Sequence, residues 1–391
     1  MNRLKRFVKY CLGWIYLFIF RYFKSFIISK SDIIFIFPYY HLGGAEQVHL
    51  DIVKAVSHKE VTVIFTHLSA TDHYLPHFRE SATIIELNSI INKKSNRVRK
   101  ALFNTIAKAI NGSKTVTHVF GCNSTYFYDI LSLINTSKQR IDLIHAIAPN
   151  DSRISTLASS AKYIDTRVVI NRKAKEDVLN IYRENNIIAS PDKIRIISNG
   201  VDLSNIQDLS IKPVSEVLNV GFIGRWSDEK RPWIFLEIAK KIKLKFTGTH
   251  FKMAGSGMKG EKSRIQEAGV NYVGEITTIS DLSKFYKELD LIIICSSTEG
   301  FPMVLMEAMP HGVIPVCTDV GGISEHIRHQ ENGILVGESI ELEIIDSFVE
   351  NLSDLITNDI KRLALAENAR NYALNHFDIE KFNQSYRNLL S

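Results

Sequence analysis

Two glutamates, Glu299 and Glu307, stand with seven residues between them in the run EGFPMVLMEAM. Pro302 can begin a helix and turns Phe301 away from one, which leaves Glu299 in a loop and puts Glu307 on the helix that follows. The neighbours of Glu307 on that helix are Met303, Val304, Leu305, Met306, Ala308 and Met309. A carboxylate in such company needs hydrogen-bond donors. Sugar hydroxyls are one source, and a nearby Arg or backbone N–H groups are another. A second loop, GFIGRWSDEKRP, sets Arg225 and Lys230 five positions apart after a short apolar run. A forked guanidinium and a compact ammonium suit phosphate oxygens, although Asp228 and Glu229 could make this a solvated loop. Adjacent glycines recur at Gly43-Gly44-Ala45-Glu46 and at Gly321-Gly322-Ile323-Ser324-Glu325, and Gly255-Ser256-Gly257 is a weaker relative. Such glycines let backbone approach a ligand, and a helix opening there offers free N–H groups to an anion. A plain turn would need no ligand.

These side chains require a scaffold that brings loops together. β-branched runs alternate with helix-period segments, which predicts parallel sheets covered by helices. The expected strands of the first half are Ile33–Phe37, Val61–Thr66, Thr83–Leu87, Thr115–Phe120, Ile141–His145, Arg167–Ile170 and Ile194–Ile197. Those of the second half are Asn219–Ile223, Phe251–Ala254, Tyr272–Val273, Leu291–Cys295, Ile314–Cys317 and Ile334–Val336. Ligands of doubly wound sheets bind at the carboxyl ends of strands, which is where each motif above falls. His145 closes its strand on that side, whereas His118 lies mid-strand and reads as a core histidine. The domain boundary is expected near residues 203–216. That gives residues 1–30 as a separate segment, 31–210 with a returning helix at 378–391 as one domain, and 211–377 as the other.

At 391 residues the chain suits two domains. With 45% hydrophobic and 23% charged residues it is neither disordered nor a polytopic membrane protein. Cys11, Cys122, Cys295 and Cys317 show no CxxC pairing and no zinc-site spacing, and read as reduced thiols. The formal charge of +6 resides in the first thirty residues, where Arg3, Lys5, Arg6, Lys9, Arg21, Lys24 and Lys30 meet no acid. The remainder is near neutral, which argues against nucleic acid as a partner. The apolar run Tyr10 to Phe20 is eleven residues long, short of the ~20 that cross a bilayer. On a helix, Arg3, Lys5, Arg6 and Lys9 oppose Leu4, Phe7, Cys11, Trp14, Ile15 and Phe18. That pattern predicts an amphipathic helix on an anionic membrane surface; packing on the protein's own surface and a spanning anchor are the alternatives.

Taken in order and spacing, these motifs resemble the large retaining GT-B glycosyltransferase family, the fourth in the usual numbering. The similarity runs from about Ile33 to the C-terminus. It is carried by GGAE (Gly43–Glu46), NGVD (Asn199–Asp202), GRxxxxK (Arg225, Lys230), the Glu299–Glu307 pair, GGxxE and NGILV (Asn332–Val336). The resemblance implies an α/β fold of two Rossmann-like, doubly wound domains facing a central cleft, here with an N-terminal amphipathic helix. It implies a nucleotide-diphosphate sugar as donor and no cofactor or metal. By the same analogy Arg225 and Lys230 neutralise the leaving diphosphate and Glu299 contacts the transferred sugar. Glu307 binds the ribose, while Gly43, Gly44, Gly255 and the backbone of Phe301, Pro302, Met303 and Val304 complete the donor site. His145 and Glu46 are the acceptor-side candidates. Many members place a histidine at the end of the fourth strand, where Phe120 stands here.

The expected acceptor is a glycan or lipid-linked sugar in capsule, O-antigen or lipopolysaccharide synthesis, met at the cytoplasmic face of the plasma membrane. Its contacts are expected around His41, Asp72–His77, Lys93–Lys100 and Cys122–Tyr126. A nucleotide-sugar 2-epimerase shares the fold but lacks the glutamate pair, and a glycan-binding protein with a dead site would have no reason to keep Arg225, Lys230 and both glutamates.

Overall fold

The computed structural model describes residues 13–87, 96–148, 150–188, 190–204, 206 and 217–391. The expectations for Arg3, Leu4, Lys5, Arg6, Phe7, Lys9, Cys11, Lys93 and Lys94 lie outside the described residues, as does the linker around Pro213. The chain forms two compact units, Met1–Ile170 with Ala174–Ile197 and Asn383–Ser391, and Asn171–Lys173 with Ser198–Phe382.

The first unit is built on β1 (Ile33–Phe37), β2 (Val61–Phe65), β3 (Thr83–Glu86), β4 (His118–Cys122), β5 (Gln139–Ile144), β6 (Thr166–Val169) and β7 (Ile194–Ile196). Their order is β3-β2-β1-β4-β5-β6-β7, and every pairing is parallel. A strand covered on both faces has no polar side to show, so IIFIF and VTVIF are buried at every position. The second unit holds β8 (Leu218–Ile223), β9 (Thr249–Ala254), β10 (Asn271–Gly274), β11 (Leu291–Ile294), β12 (Ile314–Thr318) and β13 (Ile334–Val336), again parallel, in the order β10-β9-β8-β11-β12-β13. In each sheet the order reverses beside the first strand, between β1 and β4 and between β8 and β11. A crevice opens at such a switch point.

All thirteen expected strands are present, most within a residue or two of the expected ends. β4 is the exception, since it runs from His118 to Cys122 and not from Thr115 to Phe120. Phe120 is therefore mid-strand, fully buried against Phe35, Phe37 and Tyr386. It does not end the strand, and Cys122 does.

The chain passes from one unit to the other at Ile197–Ser198, earlier than the expected 210/211. The NGVD loop is held in the second unit because Val201 bridges Asp378 and its N–H donates to the Phe377 carbonyl at 2.8 Å. The last helix, Ile379–Leu389, begins in the second unit and ends in the first. There Arg387 Nε donates to the Ala55 carbonyl at 3.2 Å, and Lys59 Nζ to that of Leu390 at 2.6 Å.

Residues 13–30 are helical, with a π-helical stretch at Phe20–Lys24. Leu17, Phe20 and Ile28 are buried in the first unit's core beside Ile34, Ile36 and Ile64. Trp14, Ile15, Phe18, Ile19, Tyr22, Phe23 and Phe26 are exposed. This stretch thus packs on its own domain by one face and presents aromatic rings on another. Among the described residues no helix is long and apolar enough to cross a membrane.

Candidate active site

In the second unit the loops following β8 and β11, the strands flanking the switch point, carry Arg225, Lys230 and Glu299. Lys230 Nζ donates to Glu299 Oε1 at 2.6 Å and lies 3.4 Å from Glu229. Ser296 Oγ donates to the same Glu299 oxygen, also at 2.6 Å. The pair is well sheltered, with side chains 22% and 7% exposed. Burial works against the ammonium charge, but Glu299 and Glu229 outweigh it and hold Lys230 above the ordinary lysine pKa. Arg225 is exposed where β8 ends, and its side chain makes no ion pair with a described residue. The structure thus brings Lys230 and Glu299 into contact and leaves Arg225 turned to solvent.

Arg231 locks these two loops, a role the sequence reading missed. It adopts a left-handed backbone (φ 46°) just before α1 (Pro232–Lys245). Its Nε donates to the Cys295 carbonyl at 2.7 Å and Nη2 to that of Ser296 at 2.9 Å, while Glu338 takes both terminal nitrogens. The Ser297 N–H closes the contact on the Glu229 carbonyl at 2.8 Å. A buried arginine that bridges two loops fixes the lysine and the glutamate they carry.

The glycines prove to be packing devices. Gly255 has φ 130°, and a Cβ there would overlap the Gly224 carbonyl. Only glycine lets the β8 and β9 loops meet this closely. Gly321 has φ 60°, and a Cβ there would overlap the Glu299 carbonyl. The Gly322 N–H donates to the Gly300 carbonyl at 2.8 Å, and Asn171 Nδ2 to the same oxygen at 3.0 Å. The expected anion cradle at GGISE is therefore corrected: its glycines back the Glu299 loop, and Ile323–Glu325 form a single 3-10 turn, not a longer helix. Glu325 accepts the N–H groups of Arg172 and Lys173 at 2.9 and 2.8 Å.

Phe301 is buried against His326 and Phe377, and Pro302 occupies the cap position before the helix Met303–Ala308. Met303 and Val304 are half-buried in its first turn. Glu307, also half-buried, accepts the Tyr286 hydroxyl at 2.7 Å. A tyrosine twenty-one residues upstream is thus one of its donors, and burial followed by Glu307 pushes that phenol's pKa far up.

In the first unit Gly43 precedes the helix Gly44–Ala55 with extended backbone that any residue could adopt. Glu46 lies in the first turn, nearly buried, 3.6 Å from His41 Nε2. His145 follows β5, with Nε2 3.3 Å from Nε2 of His49. Burial, with the Arg153 charge adding to it, lowers the His145 pKa to about 4. Burial and His145 hold His49 well below the usual histidine value. His118 is buried, as expected of a core histidine.

Residues 211–372 match the family model described as glycosyl transferases group 1. Among curated proteins, the chain is 27% identical over 210 residues to an Escherichia coli UDP-Gal:alpha-D-GlcNAc-diphosphoundecaprenol alpha-1,3-galactosyltransferase, covering 50% of this chain and 53% of that one. It thus spans about half the length of that relative. It is 23% identical over 365 residues to an uncharacterized Haemophilus influenzae glycosyltransferase, covering 89% and 96%. Among solved structures, Anabaena Alr3699/HepE in complex with UDP superposes with a TM-score of 0.72 at 16% identity, covering 92% and 99%. The pneumococcal O-GlcNAc transferase GtfA, bound to UDP and GlcNAc, gives 0.70 at 12% identity, covering 92% and 98%. Both share the two-sheet α/β architecture described above.

Proposed function

We propose, from the premise that this chain belongs to the GT-B glycosyltransferase family, that it moves a sugar from a nucleotide-diphosphate donor to a glycan or lipid-linked acceptor. The observation that carries this reading is the sheltered Lys230–Glu299 pair at the switch point of the second sheet, locked by Arg231. Breaking a glycosyl–phosphate bond builds positive charge at the anomeric carbon and negative charge on the departing diphosphate. An ammonium held by that loop and aimed at the diphosphate stabilises the transition state. Arg225, exposed at the same loop, adds a second cation. Glu299 then faces the transferred sugar and Glu307 the ribose, with the loop Phe301–Val304 between them. Gly255 serves the donor site through the loop it packs.

In this reading the anomeric configuration is retained, the leaving phosphate takes the acceptor proton and no metal serves the donor. UDP is the first donor base to test, because the two structural relatives described above hold UDP. The printed acceptor of the E. coli relative is a sugar on diphosphoundecaprenol, which favours a lipid-linked acceptor in surface polysaccharide assembly here. The exposed rings of Trp14, Phe18, Tyr22, Phe23 and Phe26, beside Arg21, Lys24 and Lys30, would hold the enzyme on an anionic membrane surface at its cytoplasmic face.

A melting-temperature screen against UDP-, GDP-, ADP- and CMP-sugars tests the donor. A donor present at ~100 times its dissociation constant adds about 2.7 kcal/mol of stability. No shift with any of the four would remove the donor reading. Product stereochemistry by NMR checks retention. Co-sedimentation with anionic vesicles, lost in a Trp14→Ser, Phe18→Ser, Phe23→Ser variant, checks the membrane contact.

A further inference from the structure

A second cluster lies wholly in the first unit and takes no part in the donor chemistry above. His49 stands on the helix Gly44–Ala55, Cys122 is the last residue of β4, and His145 is the first residue after β5. Their nitrogen and sulfur atoms lie within 4.8 Å of one another. His49 Nε2 and His145 Nε2 are 3.3 Å apart. Two nitrogens bound at ~2.0–2.1 Å to one tetrahedral zinc lie about 3.3–3.4 Å from each other. His49 is stacked on Phe37 with ring centroids 4.3 Å apart, and its buried Nδ1 has no hydrogen-bond partner among the described residues. The ring is free to keep its proton on Nδ1 and to turn a lone pair toward His145.

The surrounding bonds tie together the segments that carry the other two groups. Arg153 donates to Asn123 Oδ1 at 2.5 Å and to the Ala146 carbonyl at 2.7 Å. It thereby ties the residue after Cys122 to the residue after His145, and Asp151 balances its charge. These bonds hold the chain on which Cys122 and His145 stand.

We propose that His49, Cys122 and His145 form a three-ligand site for a zinc-class divalent ion, with a fourth position open to water. Two imidazoles and a thiolate are a borderline-soft set, which favours zinc or cobalt over magnesium or calcium. On binding, the Cys122 thiol gives up its proton to solvent and forms the sulfur–metal bond; nothing is oxidised. The ion pins the helix that follows Gly43-Gly44 to the carboxyl ends of β4 and β5. The site stands independently of the glycosyltransferase reading.

The test uses the full chain, stripped with a chelator and titrated with Co²⁺. One equivalent should produce a thiolate-to-cobalt charge-transfer band that zinc abolishes by displacement. Cys122→Ser should lose the band, and His49→Ala and His145→Ala should each weaken Co²⁺ binding by ~10²-fold or more, exceeding what outer contacts contribute. Absence of the band in the wild-type chain, or its persistence in Cys122→Ser, overturns the site. X-ray absorption on the zinc-loaded wild type needs no variant: a shell with one sulfur and imidazole nitrogens supports the assignment, and a shell without sulfur refutes it.

Discussion

Replacing Lys230 with alanine removes the ammonium that sits 2.6 Å from Glu299 Oε1. Two effects follow, and they are measured separately. The first is on folding. The pair is sheltered, and the change leaves Glu299 with Ser296 as a partner but without its cation. Breaking a buried pair by deleting one member costs about 3 kcal/mol at this degree of shelter. Urea unfolding of the variant reads that loss. The second effect is on chemistry. If the ammonium meets the leaving diphosphate, its removal deletes one preorganised donor, worth ~2.7–4 kcal/mol in the transition state. Turnover should then fall by ~10²–10³-fold at saturating donor. The assay is release of nucleoside diphosphate, run well below the variant's melting temperature so that the folding loss does not enter. Arg225→Ala, which disturbs no ion pair among the described residues, should lower turnover by ~10²-fold without the folding loss. Turnover within about threefold of wild type in Lys230→Ala, less than 1 kcal/mol in the barrier, would refute the role.

Three further outcomes are expected. Gly255→Ala should lower stability by at least ~1–3 kcal/mol, because φ 130° and the Gly224 carbonyl leave no place for a methyl group; an unchanged urea midpoint would contradict the packing argument. Tyr286→Phe takes a donor from Glu307 and should raise the donor KM about tenfold with kcat nearly unchanged; equal KM values would separate Glu307 from the donor site. His118 has its pKa lowered from 6.5 to about 4, by burial first and the Lys59 charge second. Because the folded state holds the imidazole neutral, this stability is full above pH 6.5 and is lost as pH falls toward 4. It amounts to about 2 kcal/mol between pH 7 and pH 5. His118→Gln should flatten that stretch of the stability–pH curve, and an unaltered slope would be contrary.

The sheets were legible because strands covered on both faces must be apolar throughout, as IIFIF and LIII are. β4 was misplaced for an equally physical reason. The expected strand stops at Phe120, yet it runs on through Gly121 to Cys122, and glycine fits there because the Phe127 ring occupies the space a side chain would need. The Lys230–Glu299 contact was expected only as a shared neighbourhood, since sixty-nine residues separate the partners and no local pattern encodes their pairing. Arg231 stood in the quoted motif without a role. Its left-handed backbone and its grip on Cys295 and Ser296 emerge only when two distant loops are seen together. The same holds for Gly321 and Gly322, whose spacing suggested an anion site but whose neighbours are the carbonyls of Glu299 and Gly300.

That Glu299 occupies the lysine at rest has a kinetic corollary. If the nucleotide diphosphate binds at Lys230 as proposed, it does not meet a bare cation; it must displace a carboxylate already seated there. That displacement would weaken capture, and on the way out the same carboxylate would compete for its old seat and hasten departure of the spent nucleotide. On that proposal the resident glutamate would set how long the product lingers.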